Sequence, residues 1–207
     1  MGDHAILCGR GPGRYRVHNA IVHALRDIAA EAGAQCEVEI VCPQLLQGIP
    51  GHPEAIEARL DLHLWMQGAQ GPQEAWVDVS HTHPARQKTR RKAASQDREA
   101  TSEAEARKAK RYGDGAGGVF VYPFVVEAFG GCGDSACTIL DLCAASYARK
   151  RKLPPQALSA VTRRWRASIG AAMYRAQASI FSAAHSETAT GHAPTADAED
   201  SEEEHMD

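Results

Sequence analysis

The sequence predicts an α/β domain built on one mixed sheet with helices packed against it. Three observations predict it. Ile21, Leu25, Ile28 and Ala32 fall at helical spacing, with Val22 and Ala29 beside them. Three short stretches then alternate apolar and polar residues. Finally a nearly all-apolar run, Val119–Val126, follows a long charged segment without Gly or Pro.

Taken in order, residues 1–16 are rich in Gly and Arg and read as irregular. The first helix spans His18–Ala32, with Gly33 as a natural stop. Cys36–Cys42 reads as a strand, followed by a Pro- and Gly-marked loop to about Pro53. Arg59–Trp65 alternates, with Leu60, Leu62 and Leu64 on one face and Asp61, His63 and Trp65 on the other. Gly68–Gln73 is a turn, and Ala75–His81 is the next strand. Trp76, Asp78 and Ser80 share one of its faces, Val77 and Val79 the other.

Ala85–Tyr112 reads as one long charged helix. Val119–Glu127 is a buried strand, and Gly130, Gly131 and Gly133 form a turn. Asp134 or Ser135 caps a helix to about Lys150. After Pro154 and Pro155 a last helix runs to about His185. The expected organisation is an irregular stretch at 1–16, a core at 17–150, a C-terminal helix at 151–185 and a disordered acidic tail at 186–207.

The 207 residues, 43% of them hydrophobic, suit one domain with an appendage. No apolar run approaches the roughly 18–20 residues of a membrane span, so no membrane role is expected. The N-terminus has no basic leader with an apolar stretch, so secretion is not expected. The formal net charge of −3 is a sum of unlike parts. From Ser186 onward there are eight acidic residues and no Lys or Arg, which leaves a body of 23 basic and 18 acidic residues, net +5. A mildly basic body makes nucleic acid a possible partner. The six cysteines, Cys8, Cys36, Cys42, Cys132, Cys137 and Cys143, form no CxxC pair, and most of them read as buried thiols in a reducing compartment.

The chemistry centres on Asp61 and Asp78. Each sits mid-strand among apolar neighbours, on consecutive strands joined by a short connection. An antiparallel pairing can place both on one sheet face. Burying a carboxylate costs several kcal/mol unless it is paired or binds a metal. Two together repel, and a divalent cation relieves both problems. An oxygen-rich site favours Mg²⁺ or Mn²⁺ over zinc. The plain alternative is that each Asp pairs with a nearby Arg or sits at an exposed strand mouth. Ten basic and four acidic residues lie between Arg86 and Arg111, either a solvated face or a phosphate-binding one. Arg86, Lys88, Arg90, Arg91 and Lys92 are its candidate DNA contacts.

The order of elements resembles the α-β-β-β-α-β core of the PD-(D/E)XK nuclease superfamily. More closely, the chain resembles the restriction-like endonuclease region at the C-terminal end of some non-LTR retrotransposon polyproteins. The stretches that carry the resemblance are DHAILC (3–8), RVHNAIVHAL (16–25), RLDLHLW (59–65), WVDVSHTHP (76–84), KAKRY (108–112) and PFVVEAFGG (123–131). It implies a restriction-endonuclease-like fold with a mixed central sheet, and Asp61 and Asp78 as metal ligands. Glu39, in the first strand, or Glu31, late in the first helix, would be the third acid.

The superfamily's usual lysine, two residues after the second acid, is here Ser80. The retrotransposon branch resembles a variant in which a helix supplies that lysine. Lys108 is the choice, since it and Tyr112 share a helical face; Lys88, Lys92 and Lys110 remain alternatives. His4 and Cys8 resemble half of a zinc knuckle, too few ligands for structural Zn²⁺. His63, His81 and His83 read as polar residues on or near strands. Phe129-Gly130-Gly131 reads as a packed turn rather than a phosphate cradle.

The expectation is a metal-dependent DNA endonuclease derived from a retrotransposon, leaving 3′-hydroxyl and 5′-phosphate ends as the superfamily does. In the parent element it would act beside a reverse transcriptase, absent here. A nuclear location follows from the DNA reading. Two alternatives stand beside it: a non-cleaving nucleic-acid-binding module of the same fold, and a helical interaction protein using 86–112 and 154–185.

Overall fold

The alternating stretches pair into a four-stranded mixed sheet in the order β1-β2-β3-β4. The computed structural model describes residues 12–47, 56–68, 71–85, 89–112 and 118–189. The elements are α1 (Pro12–Ala32), β1 (Gln35–Gln47), β2 (Ile56–Gly68), β3 (Gly71–Thr82), a one-turn α2 (Arg90–Ala93), α3 (Glu99–Tyr112), β4 (Val121–Glu127), α4 (Asp134–Arg151) and α5 (Leu158–Ala189). The pairs β1/β2 and β2/β3 are antiparallel, whereas β3 and β4 are parallel. A parallel pair needs a crossover connection, and the segment carrying α2 and α3 provides it.

One face of the sheet carries the main core. Ile21, Leu25 and Ile28 of α1 meet Leu62, Leu64, Val77, Val79, Phe124 and Val126 of the strands, with Ile139, Leu140 and Cys143 of α4. Trp165, Ile169 and Met173 of α5 complete it. Each such large side chain contributes about 1.5–3 kcal/mol of transfer free energy when fully buried. The other face holds a smaller cluster of Cys42, Leu45, Ala58, Leu60, Tyr112 and Val121, and Tyr112 is the contribution of α3.

Several sequence expectations are corrected. The chain is already helical from Pro12, so 12–16 are not irregular; Pro near the start of a helix donates no amide the helix needs. The charged segment is not one helix. It stops after Ala93 and restarts at Glu99. Ser95 Oγ turns back to the Lys92 carbonyl at 3.1 Å, and Arg98 takes a positive φ of 63°, so local bonds break the run despite the absence of Gly and Pro. β1 continues through Pro43 to Gln47, because a register shift between Cys42 and Leu46 absorbs a residue without an amide. β4, the last strand in the order, likewise tolerates Pro123.

The leucine row of β2 is not a single face. Leu62 and Leu64 enter the main core, but Leu60 lies in the smaller cluster on the opposite side. The switch falls at Asp61. The β1/β2 ladder pairs Val38 with Leu62 and Ile40 with Leu60 but skips Glu39 and Asp61 between them. Glu39 adopts a φ of +53°, which reverses the local pleat.

The N-cap of α4 is Gly133, and neither Asp134 nor Ser135 caps with its own side chain. Glu105 of α3 does so instead, its Oε1 accepting from the Ser135 amide at 3.0 Å. Finally, α5 is no appendage. Trp165 is 1% exposed, its Nε1 donates to Glu31 of α1 at 2.8 Å, and a division at residue 151 would cut the main core. The acidic tail from 190 and the stretch holding His4 and Cys8 lie outside the described residues.

Candidate active site

The β2/β3 ladder closes with Leu62 opposite Val77, and one further step of that register sets Asp61 opposite Asp78. Beyond Leu62 the Val79 amide donates to Asp61 Oδ2 at 2.6 Å, so a side chain takes a bond that a strand carbonyl would otherwise make. Asp61 Oδ1 faces His18 Nε2 of α1 at 3.0 Å. Asp78 Oδ2 accepts from Lys108 Nζ at 2.5 Å and from the Tyr112 hydroxyl at 2.5 Å. Both donors come from one face of α3, four residues apart. The Asp78 side chain is near enough to influence the ionisation of Asp61.

Asp61 and Asp78 therefore meet where the strands diverge, one tied to α1 and the other to α3. Burial pushes the Asp61 carboxyl up. The His18 ring, by hydrogen bond and charge, then the Val79 amide and the Asp78 carboxyl, outweigh that cost and hold it below the ordinary value of 3.8. It is therefore ionised at neutral pH.

Beside His18 and Lys108, the partners of the two carboxylates, lies a cleft of about 600 Å³; neither Asp61 nor Asp78 is among its lining residues. Tyr15, His18 and Asn19 of α1 form one wall, Arg107, Lys108 and Arg111 of α3 another, and Ser80 and His81 of β3 the floor. Ser80, two residues after Asp78, lines the same cleft that Lys108 reaches from the helix. Glu39 lines this cleft and also a smaller pocket of about 270 Å³ with Arg59, Leu60 and Asp61.

The remaining candidates are placed elsewhere. The exposed Glu39 carboxylate pairs with Arg59 at 2.9 Å. Among the described residues no three His, Cys, Asp or Glu side chains are gathered to hold one metal ion, so Glu39 does not complete a triad with the two aspartates. Glu31 fails as the third acid because it pairs with Arg164 and Trp165 at the other end of α1. Arg90, Arg91 and Lys92 are exposed on α2, Lys92 facing Glu99 at 3.6 Å, and none of them lines the cleft. Arg86 and Lys88 lie outside the described residues, and Lys110 is exposed.

His63 is buried, bonded to Glu74 at 2.7 Å and stacked on Trp76 with ring centroids 3.6 Å apart. His83 Nδ1 accepts from the Ala85 amide at 3.1 Å. The residues that sequence reasoning missed are His18, Tyr15, Arg107 and Arg111. Only the helical spacing of Arg107 and Arg111 from Lys108 and Tyr112 offered a local cue; His18 reaches Asp61 across 43 residues of chain.

Carboxylate oxygens are the ligand type that a small hard cation takes. Mg²⁺ keeps several waters and uses one or two carboxylates, and here two adjoining carboxylates already draw a His ring and an ammonium to themselves. In comparisons with known proteins, no family model, no curated protein and no solved structure matches this chain.

Proposed function

We propose that the chain is a metal-dependent DNA endonuclease of restriction-endonuclease-like type, related to the endonuclease region of non-LTR retrotransposons. The observation that carries the reading is the Asp61–Asp78 pair on adjoining strands, with Lys108 delivered to Asp78 from α3 beside a basic cleft. Asp61 and Asp78 would hold Mg²⁺ or Mn²⁺. Such an ion, when bound, supplies Lewis acidity toward a phosphate and lowers the pKa of a bound water.

The chain's own groups do the rest. Lys108 holds positive charge at the cleft wall, where it can neutralise the phosphate or orient the attacking water. Tyr112 shares Asp78 Oδ2 with Lys108 and fixes that carboxylate in place. His18 and the Val79 amide fix Asp61. Arg107 and Arg111 add cations along the wall of the cleft.

A plasmid-nicking assay in Mg²⁺ tests the reading. Asp61→Asn and Asp78→Asn should abolish nicking, and Lys108→Met should slow it by about 10²-fold or more. Thermal melting should show that all three remain folded. Equal nicking by wild type and all variants would sink the assignment.

The second reading, a nucleic-acid-binding module without cleavage, draws on one observation: His18 and Lys108 already face both carboxylates. It predicts no nicking but salt-sensitive DNA binding. The exposed Arg90, Arg91 and Lys92 remain DNA contacts on either reading. If each meets one duplex phosphate, replacing all three by Ala lowers the slope of log affinity against log salt by about 2.7.

A further inference from the structure

We infer that the cleft between α1 and α3 takes an unpaired stretch of a DNA strand, with Tyr15 stacking on a base and Arg107 and Arg111 holding phosphates. The inference rests on the nuclease reading and names the form of its substrate. Tyr15 is 70% exposed although it lines a cleft, so its ring is presented to whatever enters. Scattered exposed aromatics need no explanation, but this one lines the same cleft as the cationic Arg107 and Arg111.

The opposite wall is a helix face suited to a backbone. Arg107 and Arg111 are four residues apart on α3, hence neighbours about 5–6 Å apart at Cβ. Lys108 lies beside them but turns to Asp78. Asn19, Ser80 and His81 add polar groups between the walls. Among the described residues, Glu39 is the acid that lines the cleft, and it is paired with Arg59. An aromatic face opposite a positive groove is the arrangement that binds single strands, because every base has a π-face and every nucleotide a phosphate.

The size argues the same way. About 600 Å³ lies in the range of pockets that enclose a small ligand, and a nucleotide or two is of that scale. In a duplex each base face is covered by its neighbours, so a tyrosine ring stacks on a base only after that base leaves the helix. A single strand, or a duplex locally opened at the cleavage point, satisfies both walls at once.

The test is fluorescence anisotropy of the full chain with a labelled oligothymidine and with a hairpin duplex, Ca²⁺ replacing Mg²⁺. The single strand should bind more tightly than the duplex. Tyr15→Ala should weaken single-strand binding on the order of 10-fold, within the range that base stacking supplies. Tyr15→Trp should restore it, and the melting temperature of both variants should match wild type, since the ring is exposed. Arg107→Ala with Arg111→Ala should lower the salt slope by about 1.4, at about 0.7 per single-strand phosphate.

Unchanged single-strand affinity in Tyr15→Ala, or a preference for the duplex, overturns the inference. Nicking of duplex without single-strand binding defeats it while leaving the nuclease reading intact. Neither binding nor cleavage of any DNA defeats both.

Discussion

Asp61 is the residue on which most of the local design converges. It sits where the β1/β2 ladder skips a pair, where β2 passes from one apolar cluster to the other, and where α1 touches the sheet through His18. The depressed carboxyl links stability to pH. A group whose folded pKa lies below its unfolded value stabilises the fold above the unfolded pKa, here 3.8, and that contribution is lost as pH falls through the lower folded value. Wild type should therefore melt above Asp61→Asn at neutral pH. The gap should hold down to about pH 5 and shrink below about pH 4. Thermal melts of the two proteins across that range check it; a gap that widens in acid would contradict the assigned partners.

At the scale of elements, α3 does two jobs. One face supplies Lys108 and Tyr112 to Asp78. Another face brings Glu105 to the start of α4, where it accepts the Ser135 amide that would otherwise go unpaired. Gly133 makes room for this contact, because a Cβ there would stand 2.1 Å from Glu105 Oε1. Gly133→Ala should push Glu105 off the helix end and destabilise by about 1–2 kcal/mol, the usual cost of a lost N-cap. Glu105→Ala should cost a similar amount. The double variant should cost less than the two combined, because both remove one interaction. Urea denaturation of the four proteins measures the coupling, and strict additivity would show that the cap does not depend on Gly133.

Across the whole molecule, the first and last described helices close one core. α5 buries Trp165, Ile169 and Met173 against α1, α4 and the sheet, and the Trp165–Glu31 bond ties α5 to α1 directly. Trp165→Ala should destabilise by about 3–5 kcal/mol, as expected for deleting a buried indole. Trp165→Phe should cost less because it keeps most of the packing. Chemical denaturation ranks the two, and a cost under about 1 kcal/mol for Trp165→Ala would mean that α5 packs loosely. Among the described residues no helix is long and apolar enough to cross a membrane.

The α/β class, the element order and the two strand aspartates could be read from the chain, because each is a local property. Strand alternation, a helical stripe and an acid among apolar neighbours all repeat within a few residues. The Lys108–Tyr112 spacing was legible for the same reason, since four residues always share a helix face. Other features depend on partners far along the chain. The break at Arg98 sits in a segment of good helix formers, and Arg98 donates to Asp134, 36 residues on. The cap of α4 comes from α3, and α5 joins the core through residues more than a hundred positions from α1.

The sequence by itself determined which acids had to be explained: an apolar strand makes an unpaired carboxylate expensive, wherever that strand lies. Only the tertiary structure decided what answers them. His18 and Lys108 reach the pair from two helices on different sides of the sheet, Glu39 faces Arg59, and Glu31 is drawn to α5. Charge on a side chain is local information, but the distance between charges belongs to the packed chain, and electrostatic partnership depends on that distance.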